Sequence, residues 1–121
     1  MKQSQELIRS CCEDGSYISD IEKILPNEEE LVDITSVYKA LSDPIRVKIL
    51  FALLEYEICV GEMVDLLQLS QSHVSHQLKI LRKYGIVTFT KDKKMSFYQI
   101  KNDYVKELLE ITLKNIKQTK K

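Results

Sequence analysis

No apolar run in this 121-residue chain approaches the roughly 20 residues needed to span a bilayer. The opening stretch, MKQSQELIRS, has no apolar core of the secretory kind, so we expect a cytoplasmic protein with no membrane segment. Histidine is scarce: His73 and His76 are the only two, and no acid pair accompanies them. A nucleophile, a base and an orienting group cannot be assembled from that set, and an enzyme is not expected. Cysteine is nearly as rare. Cys11, Cys12 and Cys59 are an odd count that a reducing compartment keeps as thiols, which suggests metal or redox chemistry before disulfides. There is no internal repeat and no low-complexity tract.

What is present is the composition of a small globular domain: 44% hydrophobic and 30% charged residues. A chain of this length buries only about two-thirds of its unfolded surface. The net charge of zero conceals a strong asymmetry. Residues 1–70 carry 6 basic against 14 acidic side chains, a balance of −8. Residues 71–101 carry 7 basic residues (Lys79, Arg82, Lys83, Lys91, Lys93, Lys94 and Lys101) against Asp92 alone, a balance of +6. Such a block is either a solvated basic face or a phosphate-binding surface.

Residues 1–27 lack a sustained period and read as an N-terminal arm with one short helix near 17–24. From Glu28 the period becomes helical, with Leu31, Ile34, Tyr38 and Leu41 on one face. Pro44 disfavours helical geometry at Asp43 and suits the first turn of a second helix, whose stripe is Val47, Leu50, Phe51 and Leu54 and which ends near Tyr56. A third covers about 60–67, with Val60, Met63, Val64 and Leu67 apolar. Ser70 is a good N-cap for a fourth at about 71–84, and Gly85 follows it as a C-terminal signal. The period then shortens to two. IVTFT, the charged turn KDKK and MSFYQI read as a β-hairpin, and Asn102 or Asp103 caps a last helix striped by Val105, Leu108, Leu109, Thr112 and Ile116. The expected fold is mainly α with a small β-hairpin, a winged helix-turn-helix over residues 28–121. The stripes of its first and last helices exceed what so small a core absorbs. Leu31, Ile34, Tyr38, Val105, Leu108, Leu109, Thr112 and Ile116 are therefore expected at a homodimer interface.

On the helix at 71–84, an advance of about 100° per residue places Val74, Leu78 and Leu81 on the core side. Ser72, Ser75, His76 and Lys79 fall on the opposite side, with Lys83 one turn on. Short polar and basic side chains there could donate to and accept from base edges, and a dimer would present two such helices to successive major grooves. A metal site at the histidines would need further ligands, and only Gln71, Gln77 and serines surround the pair. DNA contact is the reading for His76, and a surface position for His73.

The stretches ALSDPIRVKILFALL, EICVGEM, LSQSHVSHQLKILRKYGIV and FTKDKKMSFYQI together resemble the ArsR/SmtB family of metal-responsive repressors, over about residues 30–118. The resemblance implies a homodimer that holds double-stranded operator DNA and leaves it when an inducing metal binds. It places Gln71, Ser72, Ser75 and His76 at base- and phosphate-contacting positions, and Lys91, Lys93 and Lys94 on the wing. The zinc site on the last helix of some members is not matched, because Asn102, Tyr104, Asn115 and Gln118 stand at its positions. In the Cys-Val-Cys site of other members Cys59 is kept, but Gly61 replaces the second thiol. The cadmium/lead branch completes its site with thiols from a partner's N-terminal arm, and this arm carries Cys11 and Cys12. A trigonal site of Cys59 with a partner's Cys11 and Cys12 suits As(III), Sb(III), Bi(III), Pb(II) or Cd(II), with Glu13, Asp14 or Glu57 as a weak fourth ligand. The alternatives are a regulator sensing thiol oxidation or reactive species through the same cysteines, and one with no metal signal. A winged helix that binds protein instead of DNA is disfavoured by the charge of +6 over residues 71–101.

Overall fold

The computed structural model describes residues 16–120, and Cys11, Cys12, Glu13 and Asp14 lie outside them. The chain divides into two compact units between Asp33 and Ile34. In the first, α1 (Ser16–Ile24) occupies the span expected of a short helix, with Ile18, Ile21 and Ile24 exposed. Asn27 opens α2 (Glu28–Ala40) with a reciprocal cap. The Glu30 backbone N–H donates to Asn27 Oδ1 at 2.7 Å, and the Asn27 N–H donates to Glu30 Oε1 at 2.8 Å. Three glutamates in the first turn add favourable charge at that end.

In the second unit each helix start follows from local chemistry. Asp43 is extended, its carboxylate accepts from the Arg46 backbone N–H at 3.0 Å, and Pro44 opens α3 (Pro44–Leu53). Ser70 Oγ accepts from the His73 N–H at 3.1 Å to open α5 (Gln71–Lys83), and Gly85 beyond it takes a left-handed φ of 71°. Asn102 caps α6 (Asp103–Thr119) through the Tyr104 N–H at 3.0 Å.

Two features differ from the sequence reading. α3 ends at Leu53, short of Tyr56, because the chain turns there to form strand β1 (Ile58–Cys59), two residues that are too few to show a period. β1 pairs antiparallel with β3 (Met95–Ile100), placing Ile58 opposite Tyr98 and Cys59 opposite Phe97. With β2 (Val87–Asp92) on the other side of β3, the expected hairpin becomes the larger part of a three-stranded sheet in the order β1-β3-β2. Between β2 and β3 the turn is Lys93-Lys94, with Lys93 at φ 61°.

The core forms where α3, α4 (Val60–Leu67), α5 and α6 meet the sheet. Its fully buried side chains are Ile49, Leu50, Met63, Val74, Leu78, Leu81, Ile86 and Val105. Each large aliphatic contributes roughly 1.5–3 kcal/mol by leaving water. Val74, Leu78 and Leu81 are the expected inner face of α5. On α3 the burial is broader than one stripe. Ile49 and Leu53 are buried with Leu50, while Val47, Phe51 and Leu54 are only half-buried. Among the described residues no helix is long and apolar enough to cross a membrane.

Candidate nucleic-acid interface

With its aliphatic side committed to the core, α5 turns Gln71, Ser72, Ser75, His76 and Lys79 outward, and all five are exposed. Ser70 and Ser72 approach each other, hydroxyl to hydroxyl, at 3.3 Å. His73 is half-buried at the edge of this face. Lys91, Lys93 and Lys94 are exposed on the β2–β3 wing.

To Ser75, Lys79 and Lys83, already expected on this face, the structure adds Arg82 and Tyr98. A concavity of about 550 Å³ is lined by Ser75, Lys79, Arg82, Lys83 and Tyr98, joining the second half of α5 to the sheet. The Arg82 guanidinium lies 4.8 Å from the Phe89 ring centroid, and that ring packs against Tyr98 at 5.3 Å between centroids. Lys83 Nζ stands 5.5 Å from the centroid of Tyr84. The sequence signal for Arg82 was its place three residues after Lys79, on the neighbouring turn of the same helix. Among the described residues, no basic side chain of α5 or the wing is in an ion pair, so these charges remain available to phosphates.

Cys59 is buried, 6% exposed, at the N-cap of α4. Its backbone N–H donates to Glu62 Oε1 at 2.9 Å, which engages that carboxylate locally. A Cβ placed on Gly61 would stand in ordinary contact with Cys59 Sγ, at 3.9 Å, so residue 61 lies beside the thiol. Glu57 is exposed two residues earlier. Among the described residues, no group of three histidine, cysteine or carboxylate side chains could hold a metal ion, and Cys11 and Cys12 lie outside them. At the positions of the unmatched zinc site, the Asn102 side chain caps α6. A hydrogen bond with Tyr38 and the proximity of that second phenol hold the Tyr104 phenol above the ordinary tyrosine value.

The residues expected at a subunit interface separate into two groups. Val105 and Leu109 are buried inside the domain's own core. Leu31, Ile34, Tyr38 and Ile116 are exposed at 38, 40, 52 and 43%, Thr112 is exposed, and Leu108 is half-buried. Tyr38, Leu41, Val47, Phe51, Leu108, Leu109, Thr112, Leu113 and Ile116 line an apolar groove of about 410 Å³.

Comparison with known proteins agrees with this layout. Residues 43–88, from the cap of α3 into β2, match the family described as bacterial regulatory protein, arsR family. A cadmium resistance transcriptional regulatory protein CadC homolog of Staphylococcus aureus is 39% identical over 80 residues, covering 65% of this chain and 66% of that protein. An uncharacterized HTH-type transcriptional regulator of Methanocaldococcus jannaschii is 38% identical over 84 residues, covering 69% of this chain and 94% of the relative. The structure of HlyU from Vibrio cholerae, a transcriptional activator, superimposes with a TM-score of 0.67 at 34% identity, over 71% of this chain and 94% of that one. The basic, polar outer face of α5, the wing beside it and these relatives lead to one assignment: the chain belongs to the ArsR family of winged helix-turn-helix transcriptional regulators.

Proposed function

We propose that this regulator is a homodimeric repressor that occupies operator DNA and is released by a soft, thiophilic metal ion. The observation that carries the DNA half is the outward set Ser72, Ser75, His76 and Lys79 on a helix whose opposite side is locked into the core. Ser72, Ser75 and His76 would read base edges, while Lys79, Arg82, Lys83 and the wing lysines would neutralise phosphates. The exposed apolar groove beside Tyr38 and Ile116 supports a second copy of the chain as the dimer partner.

The metal half rests on Cys59, with the partner's Cys11 and Cys12 as the other thiols. A thiol with glycine, and no second thiol, beside it at residue 61 fits a site that draws its remaining ligands from another segment. When bound, a soft ion such as Cd(II), Pb(II), As(III), Sb(III) or Bi(III) would supply thiolate bonding at that point. Cys59 caps α4, the helix directly ahead of α5, so an arm held at its sulfur acts on the helix pair that must enter DNA. An arm-bound form that favours another spacing of the two recognition helices lowers DNA affinity by its difference in affinity for the two forms. The similarity to a cadmium-resistance regulator supports the same reading. The test is a titration of the reduced full chain with Cd(II), Pb(II), As(III) and Zn(II), followed by ultraviolet thiolate absorbance. Saturable absorbance with the soft ions, lost in Cys59→Ser, is expected. A signal unchanged in Cys59→Ser would move the site elsewhere.

A further inference from the structure

Among the described residues, Gln77 is the one polar side chain in the buried set, 7% exposed, and it sits beside His76 on α5. Its Oε1 accepts from Arg46 Nη1 at 2.9 Å. The same guanidinium donates through Nε to the Ala40 carbonyl at 2.7 Å and through Nη2 to the Lys39 carbonyl at 3.3 Å. Those carbonyls lie in the last turn of α2, and the Lys39 carbonyl also accepts from the Ser42 N–H at 3.2 Å and the Ser42 hydroxyl at 2.8 Å, so Ala40 is the acceptor that depends on Arg46. One side chain on α3 therefore ties the end of α2 to the middle of α5.

Elsewhere α5 is held by the aliphatic side chains of Val74, Leu78 and Leu81 and, near its C-terminal end, by the Arg82 guanidinium against the Phe89 ring. Apolar burial holds that side of the helix in the core, and a directional bond adds a fixed angular reference to it. A charge-assisted hydrogen bond is short and directional. We infer that Arg46 is a positioning residue for DNA recognition, setting through Gln77 the rotation of α5 at which Ser72, Ser75 and His76 meet base edges. Its other anchor, the end of α2, adjoins Tyr38 in the apolar groove, so the setting of α5 is referred to the proposed subunit interface. The inference rests on the DNA-binding function proposed above.

The test begins by selecting a duplex from a random pool with the full wild-type chain, then compares affinity for the selected and random duplexes. Gln77→Leu keeps the apolar packing and removes the acceptor. It is expected to lower the selected-to-random affinity ratio roughly tenfold per subunit, about a hundredfold for the dimer, as loss of one oriented hydrogen bond to a charged group in each subunit would. Affinity for random DNA and the salt slope should stay at wild-type values. Gln77→Glu restores an acceptor and should recover the ratio. Should Gln77→Leu fail to fold, Arg46→Lys, which keeps the charge but cannot span all three acceptors, should show the same fall. A folded variant with an unchanged ratio overturns the inference, as does equal loss on both duplexes. Unfolding of both Gln77→Leu and Arg46→Lys overturns it too, by making the contact a determinant of the fold. Failure of the wild-type chain to bind any duplex refutes the DNA-binding function itself and is seen before any variant is made.

Discussion

Replacing the two lysines at the tip of the wing should change the salt dependence of DNA binding without changing the fold. Lys93 and Lys94 form the β2–β3 turn and are exposed, so their substitution removes charge and little packing. Lys93 holds a left-handed φ of 61°, which calls for asparagine rather than a β-branched or bulky residue, and Lys94→Gln completes the variant. Two lysines per subunit are four charges in a dimer. Each phosphate neutralised adds about −0.9 to the slope of log affinity against log salt, so the slope should flatten by up to about 3.6. Between 50 and 200 mM salt the wild-type protein should then lose about a hundredfold more affinity than the Lys93→Asn, Lys94→Gln variant. Fluorescence anisotropy at four salt concentrations, on selected and random duplexes, measures this directly. Both duplexes should respond alike, because phosphate contacts carry no sequence information. Lys106→Gln on α6, whose partner Asp103 lies 3.7 Å away, is the control and should leave the slope unchanged. A wing variant whose slope matches the wild-type value would refute the wing as a phosphate-binding surface.

Alanine at Ser72, Ser75 and His76 together should abolish preference for the selected duplex, with His76→Ala alone costing roughly 1–3 kcal/mol if it makes a base contact. Unchanged affinity in the triple variant would remove α5 from its assigned role. Leu109→Glu should unfold the chain in a thermal melt, because Leu109 is buried within the domain and an unpaired carboxylate there costs several kcal/mol. Ile116→Glu, on the exposed part of the groove, should instead give a folded monomer by light scattering. A folded Ile116→Glu dimer would place the interface elsewhere.

Much of this architecture is legible in the sequence because it is written in local chemistry. The caps at Ser70 and Asn102, the start of α3 at Pro44 and the left-handed Gly85 follow from residues adjacent to each helix end. The inner face of α5 follows from the spacing of Val74, Leu78 and Leu81, and the outer face is its complement. What escaped is non-local. β1 has two residues, too few to show a period, and exists only by pairing with β3 far downstream. In the sequence Gln77 is only a neighbour of the histidine pair, and its burial follows from Arg46, 31 residues earlier in the chain, which satisfies it. The α6 stripe was visible, but periodicity does not say which surface a stripe meets. Val105 and Leu109 meet this chain's own core, while Thr112 and Ile116 are exposed.

The most direct test of the proposed repressor is release of the reduced full chain from its selected duplex by Cd(II) or Pb(II), followed by anisotropy in parallel for wild type and Cys59→Ser. The wild-type dimer should dissociate from DNA at stoichiometric metal, and the duplex should weaken metal binding by the same factor. Cys59→Ser should bind the duplex with wild-type affinity and stay bound. Mixed dimers carrying Cys59→Ser on one subunit and Cys11→Ser with Cys12→Ser on the other should keep one intact site if the ligands cross the interface. Release of Cys59→Ser at the same metal concentration as wild type would contradict the account.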